Sequence, residues 1–351
     1  MPLVVLSMIF TLSFLFPESK FKAFTTIGYY DPETGLYSKG IYDLFYCITW
    51  VLAFTLIRAS AMQYVYIPFA RKLCGITRER SLERFSEQAW SFTYYSISWL
   101  LGIYIVYHSP YWMNTKQLWA EDPDIQLDHF FKWYYLVQFG FWIQQVFVLN
   151  CEARRKDFEQ MFLHHIITCV LLLMSYCYNQ TRVGNAILCL MDFADILLSL
   201  AKMLRYSGWQ RICDATFVLF LISWIISRHY IYIIIIISAW HDAPRYLGGY
   251  RWDPSKGILF TKPIHYIFMA LLIALQIVLC VWLSMILRVL YKVVTGSSAE
   301  DTRSDDESED SDENEDQDLD SIGNEMLDST QGKEDITENR HIKKKRTDIV
   351  I

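Results

Sequence analysis

The chain has 351 residues, of which 53% are hydrophobic and 16% aromatic. This composition, gathered in long apolar runs, argues against a soluble protein and predicts a polytopic membrane protein with no nucleic-acid partner. The net charge of −6 is unevenly spread, because the segment from Thr295 onward holds 19 acidic and 7 basic residues and leaves the rest of the chain basic.

Eight apolar segments are predicted to span the membrane. Crossing about 30 Å of hydrocarbon takes about 20 helical residues. The predicted spans cover residues 2–16, 41–58, 90–107, 132–150, 160–178, 184–203, 212–239 and 263–290. The first is short, but it lacks the basic start and small-residue cleavage site of a signal peptide, so a span is favoured and a cleaved signal is the alternative. The fold class is therefore all-α, with about eight transmembrane helices.

The distribution of basic residues predicts the orientation. An even number of spans places both termini on one side. Linkers after the second, fourth and sixth spans are rich in lysine and arginine, as at Arg71, Arg154 and Arg205, and such linkers lie in the cytoplasm. The opposite linker at 240–262 is also basic and weakens the bias. Both termini are expected to be cytoplasmic.

Three regions follow from this layout. They are two spans and a linker at 1–85, six spans at 86–294, and an acidic tail at 295–351. The linker ends in a charged stretch, 78–88, in which Leu82 and Phe85 are spaced i, i+3. That pattern favours an interfacial helix leading into the third span.

The acidic tail has too few apolar residues to bury a core, so we expect it to be disordered. Its hydroxyl residues lie among carboxylates, a context that suits an acid-directed kinase. The candidate phosphorylation sites are Thr302, Ser304, Ser308 and Ser311. The alternative is a tail that only solvates the protein.

Two neighbouring spans carry ionisable residues. His164 and His165 are adjacent in the fifth span, and Asp192 and Asp195 lie in the sixth. A charged residue at the centre of a membrane helix costs about 2.5 to 3.5 kcal/mol on insertion scales. Four such residues together need a reason, and catalysis is the leading one.

Helical spacing brings these groups onto polar faces. His164 shares a face with Thr168 and Ser175, while Asp192 and Asp195 share a stripe with Ser199 and Lys202. A carboxylate within reach of an imidazole orients the ring and supports acid–base chemistry of the kind acyl transfer needs. The predicted catalytic set is therefore the histidine pair with both aspartates.

Other readings of these residues remain open. A histidine in a membrane helix can be a packing residue, and a proton relay in a transporter is possible. A metal site is disfavoured, because adjacent histidines diverge on a helix and the eight cysteines lack ligand spacing. The Arg228-His229 pair in the seventh span should meet a carboxylate, phosphate or water, with an ion pair to Asp192 or Asp195 as the structural alternative.

Around these residues the sequence resembles the Lag1 motif of the TLC-domain family, and specifically the fungal ceramide synthases. The matching positions are His164-His165-x-x-Thr168, Ser175-Tyr176, Asn179, Arg182-x-Gly184, Asp192-x-x-Asp195, Ala201-Lys202 and Tyr206. The likeness extends from about Lys39 to Lys292. Many animal members have His-Asp where this chain has Met191-Asp192.

The resemblance implies an enzyme of the endoplasmic reticulum that transfers an acyl group from acyl-CoA to the amine of a sphingoid base, with no further cofactor. It implies a six-helix TLC barrel after two extra spans, a small single-span accessory subunit and a dimer or hetero-oligomer. The predicted substrate-binding residues are Thr168, Ser175, Asn179, Arg182, Ser199, Lys202, Arg228 and His229. The alternatives are a TLC protein that binds or senses lipid without catalysis, and a proton-coupled transporter.

Selection of acyl length is expected at the far end of the cavity from the histidines. A chain of about 24 to 26 carbons would cross nearly the whole hydrocarbon core of about 30 Å. The aromatic residues predicted at that end are Trp240, Tyr246, Tyr250, Trp252 and Phe260. Their alternative role is an aromatic belt at the membrane interface.

Overall fold

The computed structural model describes residues 2–16, 20–119, 125–152 and 157–294. This part of the chain is mostly helical. The helices are α1 (Pro2–Leu15), α2 (Asp43–Ala61), α3 (Ile67–Leu73), α4 (Glu79–Tyr107), α5 (His129–Cys151), α6 (Phe158–Cys177), α7 (Thr181–Tyr206), α8 (Gln210–Trp224), α9 (Tyr232–Tyr246) and α10 (Lys262–Val294). Residues 1–154 and 158–299 form one compact body. A second unit, 155–157 with 300–351, is described only at residue 157.

Two pairs of helices are continuous through wide π-helical turns. Met62–Tyr66 joins α2 to α3, and Ile225–Ile231 joins α8 to α9. Such turns inside long helices are frequent at functional sites. The second turn contains Arg228, which the sequence singled out.

Within the described ranges, four helical stretches are long and apolar enough to cross a membrane, so this is a multi-pass membrane protein. They are Asp43–Leu73, Phe158–Cys177, Gln210–Tyr246 and Lys262–Tyr291. Helix α1 is apolar but shorter. Helices α4, α5 and α7 have the length but fall outside that apolar set, because polar residues interrupt them.

The stretch predicted as an interfacial helix leading into the third span is the beginning of α4, which continues without a break to Tyr107. Leu82 and Phe85 are fully buried, where they pack with Ala70, Ile76 and Ala89. This cluster joins α3 to α4, so the apolar face of the helix packs on protein. Two apolar residues one turn apart can face a protein core as readily as a membrane surface.

Helix α7 lies at the centre of the packing. It makes extensive contacts with α4 on one side and α8 on another, while α2 packs on α5 and α5 on α6. The largest apolar cluster draws its buried residues mainly from α7 to α10. The polar residues of α7 can therefore meet groups from several helices.

A small antiparallel hairpin marks one end of the body. Its strands are β1 (Arg251–Asp253) and β2 (Ile258–Phe260). At the turn, the Asn179 side chain donates to the Gly257 carbonyl at 2.9 Å and accepts from Lys39 at 3.0 Å. Gly257 has a φ of 64°, and a Cβ there would lie 2.2 Å from Ile125. We call this the hairpin end.

A buried ion pair ties three helices together near the hairpin end. Lys132 Nζ on α5 lies 2.9 Å from Asp43 Oδ1 at the start of α2, and the two side chains are 0% and 3% exposed. The Tyr176 hydroxyl on α6 donates to the same carboxylate at 2.7 Å. Lys132 also donates to the carbonyls of Gly28 and Ser38. Both charges are thus hydrogen-bonded, as burial requires.

Replacing Lys132 by Met should destabilise the body strongly, because Asp43 would be left buried without its cation. Removal of one partner of a buried pair costs about 3 to 5 kcal/mol. The measurement is thermal unfolding of the purified protein in detergent. The matched control is Glu79→Gln, which removes an exposed pair with Arg71 and should cost less than about 1 kcal/mol. Equal losses from the two variants would contradict the assignment.

Candidate active site

An elongated, mostly apolar cavity lies between α6, α7, α9 and α10. At one end its lining includes His164, Asp195 and Arg228. At the hairpin end it includes Trp119, Phe260 and His265. Leucine, isoleucine and methionine side chains line the length between them. A polar head and a long apolar tail would match these two regions.

His164 lies six residues into α6, about 9 Å from its start at 1.5 Å per residue. Its ring meets Trp142 of α5 and Trp282 of α10 edge-on, with centroids 5.6 and 5.2 Å away. His165 is buried, and its ring centroid lies 5.6 Å from that of His164. Within the described residues, Nδ1 of each histidine lacks a hydrogen-bond partner.

Asp195 and Arg228 form an ion pair in the cavity wall. Arg228 Nη2 lies 2.7 Å from Asp195 Oδ1 and donates to the Met191 carbonyl at 3.0 Å. The guanidinium carbon lies 3.9 Å from the centroid of the Trp224 ring. The sequence predicted a carboxylate, a phosphate or water as the partner of Arg228, and in the structure the partner is the Asp195 carboxylate.

Asp192 hydrogen-bonds to α4. It is fully buried, and its Oδ2 accepts from the Ser98 hydroxyl of α4 at 2.5 Å. Gln138 of α5 hydrogen-bonds to Ser98 and accepts from the Tyr94 hydroxyl at 2.7 Å. The carboxylate therefore holds three helices together. Its expected contact with an imidazole is not present among the described residues.

Two of the predicted substrate-binding hydroxyls line the cavity. Thr168 donates to the His164 carbonyl at 2.9 Å, one helical turn away. Ser175 is buried further toward the hairpin end, where it hydrogen-bonds to the Tyr135 hydroxyl. The predicted polar face of α6 is thus directed into the cavity.

Other predicted substrate-binding residues lie outside the cavity lining. Asn179 belongs to the loop contacts at the hairpin end, and Arg182 donates to the Gln117 carbonyl at 3.4 Å. Ser199 is buried in α7 and Lys202 is partly buried near its end. His229 accepts from the Trp224 indole at 3.3 Å and contacts Gln276 of α10 at 2.9 Å.

Of the five aromatics predicted at the far end of the cavity, Phe260 lines it and the other four do not. Trp240 and Trp252 are 49% and 57% exposed, Tyr250 is 37% exposed and Tyr246 packs beside the core. Besides Phe260, the floor includes Ala239 and Ala243, which were not predicted. Trp240 and Tyr250 nevertheless contact the floor residue His265, each with ring centroids 5.8 Å away.

Several site residues escaped the sequence reasoning. His265 lines the floor, where its Nε2 bonds the Ala239 carbonyl at 2.9 Å and its Nδ1 meets the Tyr250 hydroxyl at 3.0 Å. Trp119 donates to Ser238 at 2.8 Å. The tryptophans flanking His164 come from helices far apart in sequence. No local spacing of residues in the sequence predicts that these side chains belong to the site.

No trio of histidine, cysteine or acidic residues within the described ranges could hold a metal ion. The proposed phosphorylation sites, and the whole acidic tail, lie outside the described residues.

Comparison with known proteins agrees with the resemblance seen in the motif. A protein from Schizosaccharomyces pombe named "Sphingosine N-acyltransferase lag1" is 44% identical over 255 residues, covering 73% of this chain and 65% of that protein. "Sphingosine N-acyltransferase-like protein ALT7" of Alternaria alternata is 40% identical, with 73% and 65% covered. "Ceramide Synthase FUM18" of Gibberella moniliformis is 43% identical, with 63% and 52% covered.

The chain thus spans slightly less than two thirds of the first two relatives' length and about half of the third's. A family model for the TLC domain matches residues 84–288. Because that match covers more than half of the sequence, and the first relative adds 44% identity, the chain belongs to the TLC-domain family.

Proposed function

We propose that this protein is a ceramide synthase, which transfers a fatty acyl group from acyl-CoA to the amine of a sphingoid base. The observation that carries the proposal is the position of His164 at one end of a long apolar cavity, next to the Asp195–Arg228 pair. A thioester carbonyl placed beside His164 would leave its acyl chain along the apolar walls. The names of the relatives support the same reaction.

The reaction needs one nucleophile and one proton carrier. The amine nitrogen attacks the thioester carbonyl carbon, the C–N bond forms, and the C–S bond breaks to release CoA thiolate. An imidazole takes the proton from the amine and returns it to the thiolate sulfur. Alternatively, the imidazole attacks first and the amine displaces it from an acyl-imidazole. His164 is the member of the pair that lines the cavity, so we assign it the direct role.

Arg228 and Asp195 set the charge of the site. The carboxylate keeps the buried guanidinium paired, and both groups line the cavity on the side where His164 lies. We propose that Asp195 stabilises the charged imidazole as the proton arrives. His165 supports the packing of Trp142 beside His164.

The wider arrangement is also part of the proposal. We place the chain in the endoplasmic reticulum membrane with eight spans, the last six as a TLC barrel, and with both termini in the cytoplasm. The partner is a small single-span accessory subunit, and the assembly is a dimer or a hetero-oligomer. Phosphorylation of the acidic tail at Thr302, Ser304, Ser308 and Ser311 would regulate the enzyme.

The test of the activity is direct. Purified protein is incubated in detergent with sphinganine and a series of acyl-CoAs, and N-acyl product is identified by mass spectrometry. Detergent removes any ion gradient, so a transporter would give no product. A protein that only binds or senses lipid would also give none.

We predict that His164→Ala and Asp195→Ala each reduce acyl transfer at least about 10²-fold, because removal of a proton-transfer group costs 10²- to 10⁴-fold. The rate of acyl transfer by the His165→Ala variant is expected to fall as well. The measurement is the initial rate at saturating substrates. His241→Ala, at an exposed histidine of α9, is the matched control and should keep full activity. An active His164→Ala variant would contradict the assigned role.

Asp192→Asn should behave differently from Asp195→Ala. Because Asp192 accepts from Ser98 rather than from a histidine, its loss should lower thermal stability as well as activity, and Ser98→Ala should lower stability in the same way. For both variants, stability is measured by thermal unfolding in detergent and activity by the initial rate of acyl transfer. Loss of activity at unchanged stability in Asp192→Asn alone would restore a catalytic role to this carboxylate.

Chain length offers a further prediction. Ala243 lies in the segment 240–250, is fully buried and lines the cavity floor. Ala243→Phe should fill that floor and shift the products from very long to shorter acyl chains, while use of the sphingoid base is unchanged. The readout is the distribution of N-acyl products from mixed acyl-CoAs. Exchange of 240–250 for the equivalent segment of a short-chain relative should act in the same direction.

Ile237→Phe is the matched control, because Ile237 is on the same helix but 53% exposed. Trp252→Phe tests the role first predicted for the exposed aromatics. If Trp252→Phe shifts the products and Ala243→Phe does not, the aromatics outside the cavity set the length and the alanine floor does not.

A further inference from the structure

Two tryptophans enclose His164. Trp142 on α5 and Trp282 on α10 both present their rings at steep angles to the imidazole, 71° and 65°, with centroids 5.6 and 5.2 Å away. Each indole is at least nine-tenths buried, at 5% and 4% exposure. Their helices belong to different parts of the bundle, so the tertiary fold brings them together around this one side chain.

The indole N–H groups of both residues lack a hydrogen-bond partner within the described part of the chain. An indole nitrogen can only donate, and buried donors are nearly always satisfied. Two other tryptophans near the cavity follow that rule, since Trp119 donates to Ser238 at 2.8 Å and Trp224 to His229 at 3.3 Å. Trp90 is a third buried indole without a partner among these residues, so a missing partner alone does not indicate a ligand. Trp142 and Trp282 differ from Trp90 because both contact the ring of His164, where an acceptor would arrive with the substrate.

We propose that Trp142 and Trp282 are catalytic residues whose Nε1–H groups donate to the acyl oxygen during transfer. The inference rests on the proposed function. When nitrogen attacks the thioester carbonyl, the C=O electron pair moves onto oxygen, and it returns as the C–S bond breaks and the thiolate leaves. The oxygen is anionic only in between, whether the attacking nitrogen belongs to the amine or to His164.

The environment makes such donors effective. Fixed donors aimed at the oxyanion in a site without water need no reorganisation when the charge appears. Trp142 lines the mostly apolar cavity together with His164, and Trp282 contacts His164 without being part of that lining. In such apolar surroundings the interaction is little screened. Arg228 and Asp195 neutralise each other's charge. The indole donors are neutral, so they do not hold a carboxylate or phosphate in the resting site.

The first test replaces each indole by a ring without the N–H. Trp142→Phe and Trp282→Phe should each lower kcat by about 10² to 10³-fold, the usual loss for one oxyanion donor, with the KM for acyl-CoA nearly unchanged. Trp90→Phe is the matched control. Trp90 is also buried with an unpartnered indole nitrogen, but its ring contact is with Tyr94, so kcat should stay at the wild-type value.

The second test keeps the ring size. Site-specific incorporation of benzothienylalanine at position 142 or 282 exchanges the N–H for sulfur and preserves the packing, as checked by thermal unfolding in detergent. A stable isostere variant with the same fall in kcat supports the proposal. Wild-type kcat in both isostere variants overturns it and leaves Arg228 to stabilise the oxygen. A wild-type protein that makes no N-acyl product would instead refute the proposed function.

Discussion

A guanidinium and a carboxylate meet in the apolar interior of this protein, and the geometry of the site depends on their meeting. Arg228 cannot shed its charge, so in hydrocarbon it requires a partner. Its partner Asp195 comes from α7, while Arg228 comes from the turn between α8 and α9. Their contact fixes the rotation of these helices about the cavity. Trp224 packs against the guanidinium and completes its surroundings.

The same constraint explains the other polar contacts of the body. Asp192 and Ser98 join α7 to α4, and Asp43 and Lys132 join α2 to α5. Hydrophobic burial does not distinguish one helix from another inside a membrane, because lipid is as apolar as leucine. Hydrogen-bonded and charged pairs do make that distinction. Polar residues that resemble catalytic candidates in the sequence can therefore serve to specify helix neighbours.

The sequence predicted what local pattern controls. The fifth span, expected at 160–178, is the helix Phe158–Cys177, and the polar face of that helix does line the cavity. The helices that Asp192 and Asp195 contact could not be predicted from the sequence. Asp192 and Asp195 share one stripe, yet α7 packs on both α4 and α8, so neighbouring positions of a stripe meet different helices. The tryptophans around His164 and the alanines of the floor depend on contacts distant in sequence, which periodicity cannot supply.

The floor at the hairpin end has a consequence for ligands that are too long. Phe260, Trp119 and His265 are all buried there, and the loop contacts of Asn179 and Gly257 reinforce that end. Under the proposed function, an acyl chain that exceeds the cavity would rest its tail on this floor and hold its thioester beyond His164. Such a molecule would occupy the site without reacting. An overlong acyl-CoA would then act as a competitive inhibitor rather than as a slow substrate.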